Sequence, residues 1–142
     1  MKIRYRFAFL VLGLVGCGGG PDRYELSGAV SYDNQPVENG DIIFSPLDSA
    51  TGKAAGGPIV AGRYFIASHE GPTAGKYRVE IIAMRPSGKK NAGEGTSPPA
   101  DLMEQYIPSA YNDDSTLEVE ISDDQDNLDF QLEKIPRGKG NR

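Results

Sequence analysis

From Tyr24 onward the chain alternates. Tyr24, Leu26, Gly28, Val30 and Tyr32 fall on one side, with Glu25, Ser27, Ala29 and Ser31 on the other. A period of two sustained over that length predicts a strand with one buried face. The same pattern predicts a short strand at 41–45, ended by Pro46, and two more within 57–67, folded at Ala61-Gly62. At 76–84, Tyr77, Val79, Ile81 and Ala83 oppose Arg78, Glu80 and Ile82. Further on, Leu117, Val119 and Ile121 alternate with Glu118 and Glu120, and Leu128, Phe130 and Leu132 with Asp129, Gln131 and Glu133. Turn chemistry separates these runs: Asn34-Gln35-Pro36, Glu38-Asn39-Gly40, 69–75 and the acidic 122–127.

Two stretches carry no apolar period. Residues 47–57 are small and Gly-rich and read as a loop. Residues 85–105 read as a long mobile loop, with one helical turn at 101–105 begun by Asp101. Seven short strands and no long helix predict an all-β fold, a seven-stranded antiparallel β-sandwich of two sheets over 24–134. The tail 135–142 is basic and predicted to be disordered.

The N-terminus follows a different rule. Lys2, Arg4 and Arg6 precede the mostly apolar run 7–15, and small residues follow, the layout of a secretory signal peptide over 1–16. Nine helical residues rise only about 14 Å, against the roughly 20 residues needed to span a bilayer core. The residues Leu14-Val15-Gly16-Cys17 resemble the lipobox of bacterial lipoproteins. That resemblance implies cleavage between Gly16 and Cys17, lipidation of the Cys17 thiol, and attachment to the outer or cytoplasmic membrane of a bacterial envelope, facing the periplasm or exterior. Residues 17–23, led by Gly18-Gly19-Gly20-Pro21, then form a flexible tether. Two or three acyl chains anchor firmly where one binds marginally.

Charge and composition narrow the function. The 142 residues carry 15 Lys plus Arg against 20 Asp plus Glu, a net charge of −5. Loss of Lys2, Arg4 and Arg6 with the signal leaves 12 cations against 20 acids, so the mature chain stands at −8. Such an acidic surface offers no basic face to nucleic acid. One Cys excludes an intrachain disulfide and a Cys-based zinc site, and one His removes most His-dependent catalysis. The 18 Gly and 10 Pro supply turns yet stay short of the roughly 25–30% that marks a low-complexity chain.

The run 26–40, with its Gly28-Ala29-Val30, Pro36-Val37 and Gly40, resembles the opening of carboxypeptidase-regulatory-like domains. Gly62-Arg63-Tyr64 and Gly75-Lys76-Tyr77-Arg78-Val79 are similar to two later strand starts of that family, with Ala74 where Pro is usual. Tyr106-Ile107-Pro108-Ser109-Ala110-Tyr111-Asn112, followed by Thr116-Leu117, resembles small secreted lipoproteins of planctomycete-type bacteria. Together the matches span about 24–133 and imply a transthyretin-like sandwich without implying an activity.

Candidate chemistry is sparse. Transthyretin-fold hydrolases of 5-hydroxyisourate end in a Tyr-Arg-Gly-Ser motif, whereas this chain ends Arg137-Gly138-Lys139-Gly140-Asn141-Arg142. His69 lies in a turn with no nucleophile or acid at catalytic spacing, and reads as a solvated loop residue. Gly71 to Lys76 mimics a phosphate loop but has three residues between its glycines, Tyr77 after Lys76, and a strand following instead of a helix. Asp123, Asp124, Asp126 and Asp129 cluster as a calcium site would want, without EF-hand spacing; an acidic turn is the simpler reading. Tyr106 and Tyr111, beside the 85–105 loop, are candidate platforms for a sugar ring, or anchors of that loop on the core. No cofactor is implied. The expectation is a lipid-anchored, non-enzymatic module with an unknown protein or polysaccharide partner.

Overall fold

A computed structural model describes residues 21–50, 52–93 and 98–135. The expected signal segment 1–16, Cys17, most of the expected tether and the tail from 136 lie outside the described residues.

The strands in chain order are β1 (Leu26–Tyr32), β2 (Gln35–Pro36), β3 (Asn39–Pro46), β4 (Ala55–Val60), β5 (Arg63–Ile66), β6 (Gly75–Ile82), β7 (Met84–Lys90), β8 (Asp101–Gln105), β9 (Glu118–Ile121) and β10 (Phe130–Leu132). A 3-10 turn covers Ser109–Tyr111, and no α-helix occurs among the described residues. The seven strands expected from the sequence make the main sheet, in the order β10-β1-β5-β4-β3-β6-β9, with β2 paired to the end of β1; β3 and β4 begin earlier than expected, at Asn39 and Ala55, inside the stretches read as a turn at 38–40 and a loop at 47–57. The alternation placed the buried sides correctly: Leu26, Val30, Tyr77, Val79, Ile81, Ala83, Ile121, Phe130 and Leu132 all face the core.

Two-residue turns make the tight hairpins. Ala61 (φ 50°) and Gly62 (φ 75°) both adopt positive φ, the type I′ geometry whose twist matches that of paired strands. Asp33 (φ 52°) and Asn34 (φ 61°) form the corresponding turn between β1 and β2. It falls one residue earlier than the Asn34-Gln35-Pro36 reading, because Gln35 and Pro36 are already paired with Tyr32 and Ser31.

The sheet curls into a half-barrel. Phe44 on β3 and Phe130 on β10 stand four strands apart in the sheet order, yet their ring centroids lie 6.3 Å apart. Tyr64 packs between them at 6.1 Å from Phe44 and 6.3 Å from Phe130. The pairing is antiparallel except at one seam, where β10 runs parallel to β1. This departs from the all-antiparallel expectation. Alternation reports which side of a strand is buried; it carries no information on the direction of the neighbouring strand.

Gly28 makes that seam possible. A Cβ there would sit 2.1 Å from the Leu128 carbonyl oxygen. With the side chain missing, the carbonyl of Leu128 enters the space and accepts a hydrogen bond from the Tyr64 hydroxyl at 2.7 Å. Around it, Ser27 N–H donates to Gln125 O at 2.8 Å and Leu128 N–H to Ser27 O at 3.0 Å.

The 85–105 region is not the unpaired loop that its composition suggests, and 101–105 is not a helical turn. β7 and β8 form a separate antiparallel ribbon, pairing Met84 with Gln105, Arg85 with Glu104 and Pro86 with Met103. Nearly every residue of the ribbon is exposed. A strand pair that buries neither face leaves no hydrophobic period to read. Its support is the backbone ladder and the cross-strand pairs Arg85–Glu104 at 2.9 Å and Lys90–Asp101 at 4.0 Å.

Candidate functional site

Strand directions divide the domain into two ends. Arg23 bridges Thr73, Leu26 bridges Gln125, and Gly75 pairs with Ile121, so the start of β1 and the 122–129 turn share one end. Tyr32 pairs with Leu132 and Asp41 with Ile82, so the end of β1, the exit of β10 and the base of the β7–β8 ribbon share the other. Tyr32 lies nine residue steps along the chain from Arg23, an extended run of about 30 Å.

A groove of about 1130 Å³ opens at this second end. Tyr32, Arg85, Tyr106, Asp113 and Lys134 contribute to its walls. Tyr106 stands edge-on to Tyr32, with centroids 5.9 Å apart and planes at 62°. The Arg85 guanidinium lies 5.1 Å from the Tyr106 ring centroid while its Nε pairs with Glu104. Exposed cation–ring contacts of this kind contribute about 0.5–1 kcal/mol.

The backbone under the groove is held by side-chain amides. Gln105 Oε1 accepts from Ala83 N–H at 2.9 Å, and Tyr106 N–H donates to Ala83 O at 3.2 Å. Buried Asn112 donates through Nδ2 to the carbonyls of Ile107 and Pro108, both at 3.1 Å, and accepts from Asp113 N–H at 2.8 Å. Ile107 is thereby fixed in the core, and Ser115 Oγ donates to Val79 O. Partial burial, aided by Glu38 and opposed by Arg85, raises the Tyr106 phenol above its ordinary value, so it stays protonated and able to donate near neutrality.

The predicted site residues are dispersed. Tyr106 is in the groove. Tyr111 is an anchor: its ring packs on the core and its hydroxyl accepts from Glu133 N–H at 3.2 Å. The acids of the 122–129 turn lie at the opposite end and clip the start of β1. Asp124 Oδ1 accepts from Glu25 N–H at 2.8 Å, Asp129 Oδ1 from Ala29 N–H at 2.7 Å, and the Asp123 carboxylate from Gln125 Nε2. Ser27 Oγ donates to the Asp126 carbonyl at 3.1 Å. Among the described residues no three His, Cys, Asp or Glu side chains converge as a metal site requires. His69 is exposed, 3.9 Å from Glu70 Oε1.

Tyr32, Arg85 and Lys134 had no motif to mark them, and Asp113 stood out only as part of the acidic run Asn112-Asp113-Asp114, a weaker form of the cation-site pattern at 123–129. Tyr32 read only as the last residue of a strand, and nothing in its neighbours indicates that it meets Tyr106 in space. Among the described residues no helix is long and apolar enough to cross a membrane. No family model matches the chain, and no curated protein or solved structure shows significant similarity to it.

Proposed function

We propose that this chain is a lipid-anchored, extracytoplasmic, non-enzymatic binding module of the bacterial cell envelope. Cys17 carries the lipid, and the tether 17–23 holds the domain within about 20 Å of the bilayer surface. The finer architecture that goes with this reading is the transthyretin-like sandwich of carboxypeptidase-regulatory-like domains, with the two flanks of the curled sheet as its layers. The resemblance of Leu14-Val15-Gly16-Cys17 to a lipobox and that of 106–117 to planctomycete-type lipoproteins support the same assignment.

The observation that carries the binding role is the polarity of the domain. Its chain enters at the Arg23 end, and the aromatic groove opens about one strand length away at the other. An anchored domain so oriented points the groove away from the membrane. Metabolic labelling with a fatty acid, comparing the natural chain with Cys17→Ser, tests the anchor. Label and membrane fractionation lost in Cys17→Ser are the expected result; equal label on both proteins overturns the reading.

A further inference from the structure

We propose that the groove between Tyr32, Tyr106 and Lys134 is a saccharide-binding site, selective for neutral polyhydroxylated chains. The inference rests on the reading of the domain as an anchored binding module and names the ligand class of its groove.

The polar groups of the groove determine that class. Neither the Tyr32 nor the Tyr106 hydroxyl makes a hydrogen bond with another described residue. Arg85 spends its Nε on Glu104, which leaves its terminal nitrogens, and Lys134 pairs with no described acid. Asp33 and Asp113 bring carboxylates to the same walls. A discrete anion drawn to Arg85 and Lys134 meets those two carboxylates, and a cation drawn to the carboxylates meets the two cationic side chains. A sugar hydroxyl both donates and accepts, so a polyol satisfies both sets at once.

Shape and long-range charge agree. Arg85 covers one face of the Tyr106 ring and Tyr32 meets Tyr106 edge-on, so the groove sets ring edges beside polar tips, which suits a ligand with C–H faces and hydroxyl edges. A volume of about 1130 Å³ exceeds the roughly 300–1,000 Å³ of a site for one drug-sized ligand, and leaves room for several sugar units. The mature charge of −8 repels acidic polymers and leaves neutral ones unaffected. An extended peptide would satisfy donors and acceptors too, but the free groups here are side-chain ends around two rings and not the ladder of a strand edge.

The test uses the mature full-length protein in detergent micelles on an array of neutral α-glucans, β-glucans, mannans and xylans, with acidic polysaccharides and extended peptides alongside. Binding to at least one neutral polysaccharide is expected. The double variant Tyr32→Phe/Tyr106→Phe keeps both rings and should bind about 10-fold more weakly at an unchanged melting temperature. Lys134→Ala, at the exposed rim, should weaken binding several-fold. No neutral ligand, preference for the acidic polymers or peptides, or undiminished binding by the double variant would each overturn the proposal. Cys17→Ser protein should retain glycan binding, so the array reports on the groove while the fatty-acid label reports on the anchor.

Discussion

Replacing Gly28 by Ala adds one methyl group and should destabilise the domain by about 2–4 kcal/mol. The new Cβ would lie 2.1 Å from the Leu128 oxygen and 2.6 Å from its carbonyl carbon, both backbone atoms. Ordinary contact needs more than 3 Å, so the 125–130 segment must retreat from β1 by about 1 Å. That movement breaks the Tyr64–Leu128 hydrogen bond and strains the Ala29–Asp129 bond, each of 2.7 Å. Two such bonds contribute about 1 kcal/mol each, and overpacking adds about 1–3 kcal/mol. The lower chain entropy of Ala in the unfolded state offsets about 0.4–1 kcal/mol. Urea denaturation followed by far-UV circular dichroism measures the difference. Gly88→Ala is the control: it meets nothing within 4 Å but sits at φ +76°, and should cost only about 1–2 kcal/mol from backbone strain. Because Gly28 and Tyr64 act through one carbonyl, Gly28→Ala combined with Tyr64→Phe should cost about 1 kcal/mol less than the sum of the single changes. A Gly28→Ala variant within about 0.5 kcal/mol of the natural protein would refute the close approach as the reason for this glycine.

Two further predictions concern stability. Burial first, and the charge of Asp129 second, hold the Tyr64 phenol far above its ordinary value of 10.0. Above pH 10 the unfolded chain therefore releases a proton that the folded one keeps, so stability falls with rising pH by up to about 1.4 kcal/mol per unit from this group. Tyr64→Phe should lose about 1 kcal/mol at neutral pH and show a shallower alkaline decline; an equally steep decline in urea melts would remove Tyr64 from the account. Asn112→Ala should cost about 1–3 kcal/mol by orphaning the Ile107 and Pro108 carbonyls. Near-UV dichroism of the tyrosines should fall while the far-UV sheet signal persists; an unaltered near-UV spectrum would show that Asn112 does not hold the segment under the groove.

The sequence by itself determined the strands of the main sheet and the faces they bury, because a half-buried strand needs a period of two, and that period is written in residues 24–32, 76–83 and 117–132. It also marked the hairpin at Ala61-Gly62, whose positive φ angles are a local property. Tertiary structure alone decided the rest. The β7–β8 ribbon was hidden because a strand pair exposed on both faces leaves no apolar imprint. The role of Asp124 and Asp129 as acceptors for the backbone of β1 was hidden because the acidic turn and the strand it clips are about one hundred residues apart in the chain. The alternation puts Gly28 on the buried side of its strand, and only the fold shows that it is the slot for the carbonyl of Leu128. Tyr106 could be named a candidate from its type, whereas Tyr32, Arg85 and Lys134 became its neighbours only when β1, β10 and the ribbon met at one end of the curled sheet. Local patterns record which side of each strand avoids water; the partners of a groove depend on which strand ends the fold gathers together, and no short-range pattern records that.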